Sequence, residues 1–232
     1  MYPQFEETMD KIMLSDLKDF QSLFGFDKKQ LDKGYDKTDK TVFPPYWLLE
    51  LRLNLITEEG GKEWIEAILP VKKADSIIDL FYVVSGSFIA IGETEINLPS
   101  PIDFNYRNPI DFEQTVADYK FAWEHQDREL LILSLRNFYI IAMQRYVVCE
   151  ESNQFKPNLL DKLWNEVHSS NMTKACASEE VAQDTVRLLG EDFNNFTVVK
   201  GFDGKFYLHR NSDWKLIKSH QYREANLEQF FN

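Results

Sequence analysis

Glu59 and Glu63 stand four residues apart, and further along the chain so do Asp75 and Asp79. On a helix, side chains at that spacing share one face. The row through the first pair reads Leu51, Leu55, Glu59, Glu63, Ala67, which sets two carboxylates on an otherwise apolar line. The second pair continues into Val83, with Ile78, Tyr82 and Ile89 flanking it. Only the short Leu69-Pro70 connection separates the two segments, so their helices are expected as antiparallel neighbours with the four carboxylates facing each other. Carboxylates gathered inward call for a cation, and an oxygen-only set with no histidine nearby suits Mg²⁺ or Mn²⁺ rather than zinc. The same spacing is also common on solvated helix faces, and aspartates favour a helix N-terminal end. Spacing alone leaves both readings open.

The stretch "LRLNLITEEGGKEWIEAI", residues 51–68, raises a further question. Gly60 and Gly61 interrupt a helical pattern, and each interior glycine costs roughly 0.5–1 kcal/mol relative to alanine. Glu58, Glu59 and Glu63 repel one another beside them. Two explanations fit: a π-bulge that re-aims the carboxylates, or close packing of the bare backbone against another helix.

The elements that must position these residues read as helices. Phe5, Met9, Ile12, Met13, Leu17, Phe20 and Phe24 recur at helical spacing and end at Gly25, a C-cap. A lysine-rich connector leads to Pro44-Pro45; helices are then expected over 46–68 and 71–91, over 111–125 and 127–149, and from Pro157 onward. After Phe193 the pattern changes to β-formers punctuated by Asp203-Gly204 and Asn211-Ser212-Asp213, which predicts a small antiparallel meander near 196–218. The fold class expected is therefore all-α, an antiparallel helical bundle with a small C-terminal β-meander.

Composition limits the function. With 232 residues, 44% of them hydrophobic, the chain can bury a substantial core. A net charge of −12 argues against a sequence-independent nucleic-acid binder, and any polyanionic ligand would need bridging cations. Cys149 and Cys176 do not form a close metal-binding pair and read as buried small hydrophobes. The N-terminus shows no basic start followed by an apolar run, so a cytoplasmic protein is expected. The apolar stretch 130–149 is interrupted by Arg136, Asn137, Gln144 and Arg145, which favours a buried or subunit-interface helix over a membrane span. Such a surface leads us to expect a homodimer or higher homo-oligomer.

"LRLNLITEEGGKEWIEAI" followed by "KKADSIIDLFYVVSGSFIAIG" resembles the two central helices of the MazG-type all-α nucleoside triphosphate pyrophosphohydrolases, in particular the phosphoribosyl-ATP pyrophosphohydrolase-like branch. "LKDFQSLFG" is similar to that family's first helix, and "LWNEVHSSNMTK" with the 193–232 tail to its last segments. The likeness covers most of 15–92 and 157–232, so the chain reads as one such domain, 1–232, with 100–155 as a helical insertion. The resemblance implies Mg²⁺-dependent hydrolysis of a nucleoside triphosphate to monophosphate and pyrophosphate. It carries metal binding to Glu59, Glu63, Asp75 and Asp79, a catalytic part to Glu59 and Glu63, and substrate contacts to Asn171 and Lys174 of "SSNMTK".

Two departures qualify it. The third motif glutamate falls on Lys62 or, with one extra residue, on Glu63; the glycine pair could absorb that residue. The glutamate of the family's E-x-x-D is Lys72 here. A protonated lysine cannot ligate metal, so Lys72 either meets the triphosphate as a point charge or marks a site with fewer metals or lost catalysis. A non-catalytic nucleotide- or partner-binding descendant is therefore the alternative.

Overall fold

The computed structural model describes residues 7–93, 95–96, 108–201, 203–212 and 214–231. They form helices α1 (Glu7–Leu23), α2 (Phe26–Asp32), α3 (Tyr46–Thr57), a π-helical turn (Glu58–Glu63), α4 (Trp64–Glu66), α5 (Pro70–Ala90), α6 (Phe112–Glu124), α7 (Arg128–Glu151), α8 (Leu160–Met172) and α9 (Glu179–Leu189), with strands β1 (Phe196–Lys200), β2 (Phe206–Arg210) and β3 (Leu216–Ile217). The chain divides into two compact units. The first takes Met1–Leu17, Tyr35–Trp164 and Leu227–Asn232; the second takes Lys18–Gly34 and Asn165–Asn226.

The first unit is built around α5. Pro70 opens this helix, where its missing N–H costs nothing and its fixed φ already suits the helix. Ala74, Ile77, Ile78, Phe81, Val84 and Phe88 are fully buried along its length. Against it packs α7, with the Phe81 and Tyr139 rings 4.9 Å apart and edge-on. Asp111 and Asp127 cap α6 and α7, accepting from the backbone N–H groups of Gln114 and Leu130. The segment 100–155, expected as an insertion, thus supplies two helices that pack as core: α7 packs on α5, and α6 on α7. The apolar 130–149 stretch is mostly buried there, with Leu133 and Val148 left exposed, and no described helix is long and apolar enough to cross a membrane.

In the second unit, the β-meander has strand order β1-β2-β3, antiparallel throughout, with Val198 opposite Leu208 and Leu208 opposite Ile217. Val186 of α9 packs with Phe196 and Leu208 to form its core. His209 stacks on Trp214, and its Nε2 lies 2.7 Å from the Phe24 carbonyl oxygen. Burial lowers the His209 pKa to about 4, so the ring is neutral.

Four expectations need correction. The helix through the glycines ends at Glu66, not Ile68, because Ala67 turns extended ahead of Pro70. The helix expected from Pro157 begins at Leu160. The lysine-rich connector contains α2, entered through Gly25 at φ 69°, and α9 falls where no helix was expected. The meander and the helices near 46, 71, 112 and 128 lie where the periodicity puts them, and both cysteines are buried and free.

Both explanations of the glycine pair hold at once. Residues 58–63 form a π-helical turn, and a Cβ on Gly60 would sit 2.7 Å from Phe112 Cε2 and 2.9 Å from Leu80 Cδ1. Neither neighbour can retreat, since Leu80 is fully buried and the Phe112 ring packs 5.3 Å from that of Phe138. Alanine at 60 gains at most about 1 kcal/mol in backbone propensity and loses about 1–3 kcal/mol to overpacking. Gly60→Ala should therefore lower unfolding stability by about 1–2 kcal/mol in urea titrations. Gly61→Ala, whose Cβ would meet Phe112 Cε1 at 3.3 Å, should cost less.

Candidate functional site

The π turn is held from two sides by side chains that take its carbonyls. Ser76 Oγ of α5 donates to the Glu59 carbonyl at 2.7 Å, and Arg145 Nη1 of α7 donates to the Gly60 carbonyl at 2.7 Å. A π turn disturbs the regular ladder of backbone bonds, so these outside donors pin the residues that carry the carboxylates. The Arg145 guanidinium also lies 4.7 Å from the Trp64 ring centroid and 5.3 Å from that of Phe112.

The fold brings Glu59, Glu63 and Asp79 into one electrostatic group. Burial, joined by the Asp79 and Glu63 carboxylates, raises the Glu59 pKa from 4.5 to about 9. At neutral pH Glu59 therefore keeps its proton. Its Oε2 is buried and has no hydrogen-bond partner. A buried acceptor left without a donor costs free energy, and a bound cation would remove that cost.

Asp75 is engaged elsewhere. Its Oδ2 pairs with Lys72 Nζ at 3.5 Å in an exposed contact three residues apart on α5. Lys72 thus faces a carboxylate of its own helix. Lys73, its neighbour, donates to Gln154 Oε1 at 2.8 Å. Among the described residues, no three Asp, Glu, His or Cys side chains are gathered as a ready-made metal site. Asn171 and Lys174 belong to the second unit. Asn171 is buried within α8, and its carbonyl accepts from the Lys174 N–H at 3.0 Å. It does not adopt the left-handed conformation of a cap.

Sequence reasoning missed Ser76, Phe112 and Arg145. Arg145 carried a usable signal, a charge in the middle of an apolar helix, but was read only as evidence against a membrane span. Comparison with protein-family models, curated proteins and solved structures finds no match to the chain.

The Glu59 carboxyl fixes the sign of a pH effect. Its folded pKa lies above its unfolded one, so the native state binds more protons between pH 4.5 and about 9. Stability from this group is complete below pH 4.5 and is lost as pH rises through the folded value. Glu59→Gln, which mimics the protonated acid, should be more stable than the parent at pH 8 in metal-free urea titrations. The gap should close toward pH 4.5. Subtracting the two profiles cancels His209 and the other titrations that do not interact with Glu59, so parallel profiles would refute the assignment.

Proposed function

We propose that the protein is a divalent-cation-dependent nucleotide pyrophosphohydrolase, cleaving a nucleoside triphosphate to its monophosphate and pyrophosphate. The observation that carries this reading is Glu59, a carboxyl held protonated beside Asp79 and Glu63 with a buried oxygen that has no donor. Such a group binds a cation by exchanging its proton for it. The donors are all oxygens, which fits Mg²⁺ or Mn²⁺.

Glu59, Glu63 and Asp79 would hold the cation, drawn together by it, since the described side chains form no ready-made site. Asp75 can join by leaving Lys72, because an exposed ion pair is worth little. A bound divalent cation supplies charge neutralisation of the triphosphate and polarisation of the phosphoryl group under attack. Once Glu59 has given up its proton, the group has a carboxylate that can orient water and accept its proton. Water oxygen bonds to the α-phosphorus, the bond to the bridging oxygen breaks, and pyrophosphate leaves. Lys72 is carried as a phosphate contact on the resemblance alone.

One observation favours the alternative of a non-catalytic descendant: Lys72 occupies a motif glutamate position and pairs with Asp75, so fewer carboxylates are free. Pyrophosphate release from a panel of NTPs and dNTPs, with and without Mg²⁺, separates the two. Glu63→Gln should leave metal-free stability equal or higher, and abolish both Mg²⁺-dependent thermal stabilisation and pyrophosphate release. Lys72→Glu should tighten Mg²⁺ binding if Lys72 stands only for a lost ligand, and should lower activity if it grips phosphate. Wild-type protein with neither Mg²⁺ stabilisation nor turnover would end the hydrolase reading.

The proposed homodimer keeps only part of its first support, because most of the α7 surface is covered within the first unit while Leu133 and Val148 stay exposed. The most exposed apolar group is Ile65, Ile68 and Leu69, at 78%, 85% and 61% exposure. A homodimer burying it should sediment at twice the chain mass at micromolar concentration, and Ile68→Glu should shift it to monomer.

A further inference from the structure

Beside the π turn lies a cleft of about 540 Å³, within the usual range for a small-molecule site. Trp64, Phe112 and Arg145 line it together with aliphatic wall residues such as Ile110 and Ile141. Gln144, also in the lining, has its amide committed to the wall: its Nε2 donates to the Asn108 carbonyl at 2.7 Å, and its Oε1 accepts from the Ile110 N–H at 3.2 Å. Glu151 is also in the lining, but it is exposed and makes no ion pair with Arg145, which leaves the half-buried Arg145 as the central polar feature. Its Nη1 donates to the Gly60 carbonyl, and its guanidinium lies near the two aromatic rings, but no carboxylate among the described residues pairs with it.

A guanidinium carries five N–H donors in a planar fork, so one bond to Gly60 leaves a parallel pair of donors for a ligand. The aromatic and aliphatic lining calls for a flat, largely apolar body, which a phosphate is not. A flat ligand whose edge presents two adjacent acceptors satisfies both demands. Among the nucleobases, the O6 and N7 edge of guanine meets them on a two-ring body; adenine places a donor where O6 would be, uracil has no adjacent acceptor pair, and cytosine, whose O2 and N3 are adjacent, offers only a single ring to the two aromatic walls. The Gly60 contact places this cleft next to the turn that carries Glu59 and Glu63.

We infer that the cleft is a base subsite in which Arg145 reads the O6/N7 edge of a 6-oxopurine while the ring lies against Trp64 and Phe112. This deepens the nucleotide-hydrolase reading and rests on it for the identity of the ligand as a nucleotide. The test needs no turnover. Inosine, a soluble nucleoside that carries O6 and N7, is titrated into the full-length protein and followed by NMR, alongside adenosine and 7-deazainosine. Inosine should bind about tenfold more tightly than either, the discrimination expected of one bidentate contact. Arg145→Lys keeps a donor for the Gly60 carbonyl but removes the fork, and should erase the preference. The 7-deazainosine comparison leaves the protein unaltered, so it decides the matter even if that variant unfolds. Equal binding of inosine and adenosine, undiminished binding of 7-deazainosine, or no binding of inosine overturns the subsite. Inosine binding with the stated preference in a protein that releases no pyrophosphate supports the subsite and removes the hydrolase. Pyrophosphate release without base preference does the reverse.

Discussion

The edge of the Phe112 ring rests on the bare backbone of Gly60, and the chemistry proposed for the first unit depends on that contact. Any side chain at 60 would drive into Phe112 and Leu80. With none there, the helix can widen into a π turn between α6 on one side and α5 on the other. The widening absorbs an extra residue without ending the helix, so α3 continues into α4. Glu59 and Glu63 are thereby grouped with Asp79, while the Glu59 and Gly60 carbonyls find donors in Ser76 and Arg145. The cost of two helical glycines is local, and what it makes possible is an acidic group and an aromatic cleft sharing one wall.

That acidic group is in tension with folding. Three carboxylates brought toward each other in partial burial cannot all ionise cheaply, and the protein resolves this by keeping a proton on Glu59. A proton is a poor permanent solution, since the second buried oxygen of the same carboxyl remains without a donor. Sites that carry such a charge conflict in the free state are ones where a ligand can relieve it. The neighbouring guanidinium of Arg145 could have been the internal remedy. Instead it hydrogen-bonds a backbone carbonyl and lies beside two rings, leaving the carboxylates unneutralised by it.

What the sequence disclosed follows the range of the interactions involved. Helices with a sustained apolar period, such as 46–66 and 70–90, and strands set off by Asp203-Gly204 were legible because their signals are local. The glycine pair was legible as an anomaly, with a π turn as one of its two explanations, and residues 58–63 form that turn. Short α2 is polar and lysine-rich, so periodicity passed over it. Missing α9 was avoidable: Ser178 caps its start and Gly190, at φ 72°, its end. Asp75 and Asp79 share one helical row, so spacing could not say which joins Glu59. The packed structure shows Asp79 beside Glu59, with Asp75 paired to Lys72 in the first turns of α5. Phe112 and Arg145 come from the part of the chain that reads as an insertion, and only tertiary packing brings them to the turn.

Lys72 also bears on how many cations the acidic group would carry. On the resemblance to the pyrophosphohydrolases, a glutamate would stand at that position; here a lysine does, and it pairs with Asp75. The change removes one anion and occupies another, while Glu59, Glu63 and Asp79 keep their association. Each divalent cation needs enough anionic oxygens to offset the water it gives up. Mg²⁺ is commonly bound through one or two carboxylates with waters and substrate phosphates, so on the hydrolase reading Glu59, Glu63 and Asp79 suffice for a cation without Asp75. On the hydrolase reading, then, the triphosphate itself must supply the remaining oxygens, and the acidic protein and its acidic substrate would complete one coordination sphere between them.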